Sequence, residues 1–210
     1  MIKKYLKALI IASIVILIPM AVGLFLWDKL PEKLPIHWDS SWNVDGWSKK
    51  SFAVFVLPLI LLAVEWLCVL GTFADPKRSN HSEKVLKIVF WIIPAISLLS
   101  SSVMYFVALG GDNIGELLVP VFMGLLFVII GNYLPKCRQN YTIGIKIPWT
   151  LDSEENWNRT HRLAGKLWTA FGFAIIILSL IGYFQFILYT AILMCLIPII
   201  YSYILYRKGV

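Results

Sequence analysis

The stretch LWTAFGFAIIILSLIGYFQFILYTAILMCLIPIIYSYILY, from Leu167 to Tyr206, is almost entirely apolar over forty residues. One helix needs about 20 apolar residues to cross the hydrocarbon core of a bilayer. Forty residues therefore predict two membrane-spanning helices, joined by a tight turn at GYFQF, from Gly182 to Phe186. An apolar run of this length decides the class of protein, because buried helices and strands of soluble folds are shorter.

The rest of the chain repeats this pattern. Of its 210 residues, 59% are hydrophobic and 15% are charged, whereas soluble domains average roughly 45–50% and 25%. The apolar runs predict six spans, at about residues 5–27, 52–73, 85–109, 116–134, 165–184 and 186–206. We therefore predict an all-α integral membrane protein, a single domain built as a six-helix transmembrane bundle. Two longer connections, 28–50 and 135–164, contain most of the remaining polar residues.

The basic residues lie mostly on one side of the predicted membrane. If the spans alternate in direction, 15 lysines and arginines fall on the side of the two termini and four on the other side. Because basic loops stay in the cytoplasm, both termini are predicted to be cytoplasmic. Connection 28–50 is then an outer loop, and 135–164 is an amphipathic inner loop. The net charge of +7 implies anionic lipid as a partner, without direct binding of nucleic acid.

The outer loop has the sequence DKLPEKLPIHWDSSWNVDGWSKK, from Asp28 to Lys50. Pro31 and Pro35 predict an extended backbone path. Ser48 is a candidate N-cap for the second helix. The loop also contains three tryptophans of the kind that lie at the level of the lipid headgroups, namely Trp38, Trp42 and Trp47.

Three interpretations of this loop stay open. It rests on the membrane surface, or it binds a divalent metal, or it binds an extracellular peptide or protein. His37, Asp39 and Asp45 have suitable side chains for a metal, but their spacing matches no zinc signature and a fourth ligand is missing. Tryptophans beside charged residues favour a protein-binding surface, because such residues dominate binding energies at interfaces.

The inner loop contains GIKIPWTLDSEENWNRTH, from Gly144 to His161. It predicts a short hairpin around Gly144 and then a helix capped by Asp152, with Glu155 in the capping-box position. Glu155 and Arg159 are predicted to pair at i and i+4. Helical spacing places four residues on one face, namely Trp157, His161, Ala164 and Trp168. This helix is predicted to lie at the membrane surface, with His161 as either a packed residue or a ligand.

Two polar features are not explained by membrane anchoring. The rigid turn Ile145–Leu151 precedes the amphipathic helix, and we interpret it as a docking element or a partner surface. Glu65 is a charged residue in the middle of the second span. An ionisable residue at this depth is a functional candidate by default, and the alternative is a structural hydrogen bond to a neighbouring helix. A single carboxylate without a partner acid, base or nucleophile argues against an enzyme.

These loops resemble a known family. The run GNYLPKCRQNYTIGIKIPWTLDSEENWNRTHRLAGKLW, from Gly131 to Trp168, is similar to the signature of the SdpI family of bacterial membrane proteins. The matching residues are Gly131, Asn132, Asn140, Gly144, Ile145, Pro148, Trp149, Thr150, Leu151, Trp157, Thr160, His161 and Gly165. The outer loop matches at Pro31, Pro35, His37, Ser48 and Lys49. Lys146 replaces a usual arginine and Asp39 a common asparagine.

The resemblance implies a non-enzymatic immunity protein of the bacterial plasma membrane, without cofactor or metal. It implies that the outer loop binds a secreted peptide toxin, for which the candidate residues are Pro35, His37, Trp38, Asp39, Asp45 and Lys49. It also implies that the inner loop holds a cytoplasmic repressor protein. The candidate residues there are Asn132, Asn140, Gly144, Lys146, Pro148, Trp149, Thr150, Trp157 and His161. The alternative is a small transporter or a membrane-embedded enzyme that uses Glu65, His37 or His161.

Overall fold

The computed structural model describes residues 2–183 and 186–210. In this part of the chain, six helices are long and apolar enough to cross a bilayer, which confirms the predicted class. They are α1 (Ile2–Phe25), α2 (Leu57–Ala74), α3 (Glu83–Ala108), α4 (Gly115–Tyr133), α6 (Glu154–Leu180) and α7 (Ile187–Arg207). A one-turn helix, α5 (Pro148–Asp152), and two strands, β1 (Lys33–Trp38) and β2 (Val44–Lys49), complete the fold. Large apolar side chains along the helices stay exposed, as expected for a lipid-facing surface.

The fifth span differs from its predicted bounds. The amphipathic helix and the span are one continuous helix, α6, which passes through Gly165 without interruption. Its N-cap is Ser153, whose Oγ accepts a hydrogen bond from the Asn156 N–H at 3.1 Å. The predicted cap, Asp152, is instead the last residue of α5, because Pro148 starts a separate helical turn. Part of the predicted Gly182–Phe186 turn, residues 184 and 185, lies outside the described residues.

A hairpin forms in the outer loop and not around Gly144, where one was predicted. Strands β1 and β2 pair antiparallel in a two-stranded sheet, with Leu34 opposite Ser48 and His37 opposite Gly46. Ser48 therefore lies in a strand and does not cap a helix. Residues 141–147 around Gly144 contain no strand. The tryptophans and charges of the outer loop are thus presented on a regular scaffold, which we call the hairpin (Lys33–Lys49).

The chain divides into two compact units. The first contains the chain up to Leu70 together with Val89–Val119, and its core includes Leu34, Val54 and Tyr105. Two hydrogen bonds join α3 to α1 within this unit. Ser97 Oγ donates to the Ile16 carbonyl at 3.0 Å, and Tyr105 Oη donates to the Pro19 carbonyl at 2.8 Å.

The second unit contains Gly71–Ile88 and Pro120–Val210. Two glycine pairs allow the backbones of α4 and α6 to touch. A Cβ at Gly172 would lie 2.7 Å from the Gly124 carbonyl oxygen, and a Cβ at Gly165 would lie 2.7 Å from the Gly131 carbonyl oxygen. Within each helix the two glycines are seven residues apart, which is two helical turns, so they line one face. Small residues drive such close packing in membranes, where the hydrophobic effect is absent.

Candidate functional site

The 135–164 segment folds around His161. The imidazole stacks on the Trp157 ring with 4.0 Å between centroids, and both side chains are buried. His161 Nε2 accepts a hydrogen bond from the Ile145 N–H at 3.0 Å, and Nδ1 lies 2.8 Å from the Trp157 carbonyl oxygen. Since Nε2 accepts, the proton of the neutral ring must sit on Nδ1 and be donated to that carbonyl. His161 is therefore a packed residue that ties the Gly144 turn to α6.

Asn140 shapes the loop that precedes this turn. Its Oδ1 accepts hydrogen bonds from the N–H groups of Thr142 and Ile143, at 2.9 and 2.7 Å. Its Nδ2 donates to the carbonyls of Arg138 and Ile143, at 2.8 and 2.9 Å. The side chain is buried and uses both its amide oxygen and its amide nitrogen. Asn140 thus replaces the backbone pairing that a hairpin would have supplied.

Asp75 and His81, both from the connection between α2 and α3, form a buried cluster that the sequence pattern did not predict. Asp75 Oδ2 accepts from the Thr142 hydroxyl and the Tyr141 N–H, each at 2.9 Å. His81 Nε2 lies 3.3 Å from the same oxygen and 3.2 Å from Thr142 Oγ1. A second link runs from Lys77 Nζ to Gln139 Oε1. The Asp-Pro pair at the end of α2 is the only local sign of this cluster.

Two opposing effects set the ionisation of this cluster. Burial raises the pKa of Asp75, but hydrogen bonds from Lys77, Thr142 and Tyr141, together with His81, outweigh burial and hold that pKa below its ordinary value. For His81, burial lowers the pKa, and the opposing attraction of Asp75 is smaller. The cluster therefore prefers a charged Asp75 and a neutral His81.

The Ile145–Leu151 turn is held from inside by Thr150. This buried hydroxyl donates to the Ile145 carbonyl at 2.8 Å and accepts from the Ile147 N–H at 3.1 Å. Next to it, the Trp149 ring packs on α7, with centroids 5.5 Å from Tyr203 and 6.0 Å from Tyr206. The turn therefore docks on α7 through Trp149.

Asn156 is a further buried polar residue that the sequence pattern did not single out. Its Nδ2 donates to the carbonyls of Ser202 and Val210, at 3.0 and 3.2 Å. Its Oδ1 accepts from the hydroxyls of Ser202 and Thr160, at 2.6 and 3.1 Å. These bonds join the start of α6 to the end of α7. Most of the segment's polar candidates thus serve its own folding, whereas Asn132, Lys146 and Pro148 stay exposed.

The three candidate metal ligands of the hairpin, His37, Asp39 and Asp45, do not form one group. His37 Nδ1 lies 2.5 Å from Asp45 Oδ1, and this pair is largely exposed. Asp39 instead closes the turn between the strands, since its Oδ1 accepts from the N–H groups of Ser41 and Asn43 at 2.8 and 2.9 Å. The Asn43 N–H holds the pKa of Asp39 below its ordinary value. Among the described residues, no three His, Cys, Asp or Glu side chains come together.

The base of the hairpin is fastened by a lysine that was not a candidate. Lys50 is buried, and its Nζ donates to the carbonyls of Trp27 and Leu30 at 3.1 and 3.2 Å, just beyond the end of α1. The ammonium also lies 4.7 Å from the Trp27 ring centroid. The neighbouring candidate, Lys49, points into the exposed surface, as does Trp47. Lys50 therefore fastens the base of the hairpin, while the side chains of Lys49 and Trp47 are exposed.

An apolar cavity of about 220 Å³ lies within the first unit, beside the hairpin. It is lined by β1, by the first turns of α2 and by α3, through Pro35, Ile36, Trp38, Leu57, Pro58, Ile60, Leu61, Ile96, Ser100, Ser101 and Met104. Two of the candidate residues, Pro35 and Trp38, contribute to this wall. Elsewhere in the first unit, Glu65 is fully buried, and neither of its carboxylate oxygens has a hydrogen-bond partner among the described residues.

Comparison with known proteins agrees with this arrangement. A model of the SdpI/YfhL protein family matches residues 136–202, and a model of a domain of unknown function, DUF1648, matches residues 14–62. The chain is 26% identical over 209 residues to a protein of Bacillus subtilis (strain 168) named "Immunity protein SdpI". This aligned region covers 96% of this chain and 97% of the relative. The chain is therefore similar to the SdpI/YfhL family over residues 136–202 and to this relative over most of its length. No solved structure matches it.

The family matches coincide with the two polar regions described above. The SdpI/YfhL match contains the network from Gln139 to His161, and the other match contains the hairpin and the α2 wall of the cavity. With six apolar helices and this similarity, the chain is a multi-pass protein of the bacterial plasma membrane.

Proposed function

We propose that the chain is a non-enzymatic immunity protein that protects its cell from a secreted peptide toxin at the hairpin. The observation that carries this proposal is the similarity to Immunity protein SdpI over 96% of the chain. The predicted topology exposes the hairpin outside the cell. The hairpin offers Trp47, His37 and Lys49 on its exposed surface, which is the mixture of aromatic and charged residues that protein interfaces favour.

We further propose that the 135–164 segment binds a cytoplasmic repressor when toxin occupies the hairpin. Lys146 is exposed, and its Nζ donates to the Thr142 carbonyl at 2.8 Å. Its positive charge therefore lies next to the residue whose hydroxyl donates to Asp75. A loop that is already ordered by internal hydrogen bonds binds a partner at a low entropic cost.

A killing assay tests the protective part. A toxin-sensitive strain without its own immunity gene is transformed with this chain or with an empty vector, and survival is measured in a culture of toxin-producing cells. We expect survival with the chain only. A double variant, His37→Ala with Asp45→Ala, tests the hairpin. It should lower protection although the protein reaches the membrane in normal amounts. Equal killing with chain and vector would contradict the proposal.

One observation favours a second function, transport or catalysis within the membrane. Glu65 is fully buried and has no hydrogen-bond partner among the described residues, and such carboxylates mark proton or ion pathways in other membrane proteins. This alternative predicts that Glu65→Gln abolishes the cellular phenotype, whereas the immunity proposal predicts that protection survives the substitution.

A further inference from the structure

The α2–α3 connection and the loop 138–146 are bonded to each other in the second unit. Lys77 Nζ donates to Gln139 Oε1 at 2.5 Å. The carboxylate of Asp75, which is buried, accepts from the Thr142 hydroxyl at 2.9 Å. A partner that binds the loop therefore also meets the α2–α3 connection.

The exposed charges of these two segments are all positive. Residues 75–81 and 138–146 contain four lysines and arginines and a single carboxylate, Asp75, whose side chain is buried. Three of the cations are exposed and Lys77 is half-buried. We call these four residues and Tyr141 the basic surface, with the cations Lys77, Arg78, Arg138 and Lys146. Its charge complements that of an acidic partner.

Acidic residues begin on the other side of Gln139. Gln139 Nε2 donates to the Leu151 carbonyl at 2.9 Å, and the exposed Asp152 and Glu154 follow in the chain. Positive and negative side chains are thus separated along the segment. An acidic partner is attracted to the side of the α2–α3 connection and repelled from the start of α6.

Two cations of the basic surface are held in place by contacts with the loop. Lys77 Nζ lies 5.3 Å from the Tyr141 ring centroid, and Lys146 Nζ is bonded to the Thr142 carbonyl at 2.8 Å. The Tyr141 side chain is itself exposed. Fixed charges beside an aromatic ring favour a protein partner, because protein interfaces are enriched in tyrosine and arginine and gain affinity from preorganisation. Fluid lipid headgroups respond to the number of basic residues near the membrane.

We propose that the basic surface is the docking site for an acidic segment of the cytoplasmic repressor, with carboxylates of that segment at Lys77, Arg78 and Lys146 and its backbone against the Tyr141 ring. The inference rests on the proposed recruitment of a repressor for the identity of the partner. The preference of the basic surface for an acidic peptide over lipid is measurable without the repressor.

Peptide binding to the full chain in phosphatidylcholine nanodiscs tests the charge preference. A rhodamine-labelled peptide with the sequence Glu-Ala-Glu repeated four times is titrated with the nanodiscs, and fluorescence anisotropy reports binding. The matched control replaces every glutamate of the peptide by glutamine. We expect the glutamate peptide to bind at concentrations where the glutamine peptide does not.

Charge reversal at Arg78 tests whether the basic surface is responsible. Arg78→Glu should weaken binding of the glutamate peptide by about tenfold or more, because repulsion replaces attraction at the docking site. Lys208→Glu is the matched control, since it makes the same change of charge at an exposed residue following α7. It should keep the affinity within about twofold of wild type at 150 mM salt, where charges are screened. Equal weakening by both variants would overturn the proposal, because net charge alone would then explain the binding.

Two variants at Tyr141 separate a protein site from a lipid site. Tyr141→Ala keeps the net charge but removes the ring, so it should weaken binding of the glutamate peptide by about threefold to fivefold. Tyr141→Phe keeps the ring and should bind as the wild type does. If Tyr141→Ala also binds as the wild type does, and phosphatidylglycerol in the nanodisc abolishes peptide binding, the surface belongs to lipid headgroups and the proposal is wrong.

Membrane localisation of a fluorescent repressor, with toxin present, separates this inference from the function on which it rests. If wild type and Lys208→Glu recruit the repressor and Arg78→Glu does not, with equal amounts in the membrane, the docking site is supported. If Arg78→Glu recruits it as wild type does, or if the glutamate peptide does not bind, the docking site is wrong although recruitment by wild type stands. If the peptide binds through Arg78 but wild type recruits no repressor, the proposed recruitment fails, and the basic surface is a site for another acidic partner.

Discussion

The backbone of Gly144 lies directly against the imidazole of His161. A Cβ at Gly144 would lie 2.5 Å from His161 Nε2, and the backbone there has a φ of +122°, which side-chain-bearing residues rarely adopt. The missing side chain allows the Ile145 N–H to reach the imidazole. A single glycine thus connects the loop conformation to the buried ring that holds it.

Gly144→Ala is therefore expected to destabilise the protein by about 2–4 kcal/mol, from backbone strain and from the clash with the ring. Thermal unfolding in detergent measures the change. Gly182→Ala is the matched control, since Gly182 also has a positive φ of +79° but nothing within 4 Å of its missing Cβ. Gly182→Ala adds backbone strain without a clash, so it should destabilise the protein by about 1 kcal/mol. Equal losses for the two variants would show that the contact with His161 does not matter.

Acidification should loosen the same segment through His81. Its folded pKa is lowered by burial, so below about pH 6.5 the unfolded chain takes up a proton that the folded chain resists. Stability then falls as pH drops from 7 to 5, by at most about 1.4 kcal/mol per pH unit. The pKa of Asp75 is also lowered. Its contribution to stability is therefore lost at more acidic pH, where the carboxylate becomes protonated.

Hydrogen exchange of the Tyr141 and Thr142 amides and thermal unfolding at several pH values measure this effect. His81→Gln should reduce the slope between pH 7 and 5, because one of the buried histidines that titrate there is gone. Asp75→Asn should instead lower stability at pH 7, where the carboxylate accepts two backbone N–H bonds and the Thr142 hydroxyl. An unchanged slope in His81→Gln would rule out His81 as the titrating group.

Packing of α4 on α6 should fail when a glycine of the pairs is replaced. Gly172→Ala places a Cβ 2.7 Å from the Gly124 carbonyl oxygen, so the helices must separate at a cost of about 1–3 kcal/mol. Gly71→Ala is the control, because nothing lies within 4 Å of that position. Thermal unfolding and protease sensitivity give the comparison, and a stable Gly172→Ala variant would mean that the backbones do not touch.

Glu65→Leu should leave stability unchanged or raise it by about 1–3 kcal/mol, because it replaces a buried carboxyl group, which has no hydrogen-bond partner among the described residues, by an apolar group of similar size. Under the immunity proposal, Glu65→Gln and Glu65→Leu both keep protection in the killing assay. Loss of protection in both variants, with normal amounts in the membrane, would favour transport or catalysis at this carboxylate.

Repressor recruitment should depend on the Trp149 turn and on Lys146 in different ways. Trp149→Ala removes the ring that packs on Tyr203 and Tyr206, so both recruitment and stability should fall, while Trp149→Phe keeps part of the contact. Lys146→Ala removes an exposed charge, so recruitment should fall with little change in unfolding temperature. Membrane localisation of a fluorescent repressor, with toxin present, is the measurement. Normal recruitment in both alanine variants would contradict a partner surface at this turn.

Features that depend on local spacing could be predicted from the residues alone. The six spans follow from apolar length, because a bilayer sets a minimum of about 20 residues. Trp157 and His161 share a buried face, and Glu155 pairs with Arg159, because the period of 3.6 residues places i and i+4 together. The spacing of those residues lies within a single helix, so it could be read from the sequence without the rest of the fold.

Features that join distant parts of the chain required the folded molecule. Asp75 meets Thr142 across 67 positions. The extended path predicted for the outer loop is part of a hairpin, because pairing of β1 with β2 satisfies the backbone groups of both strands at once. The glycine pairs, the fastening of Lys50 and the cavity at Trp38 belong to the same class. Each arises where packing brings separate segments within bonding distance, and such distances depend on how whole helices pack and not on the order of residues within any one of them.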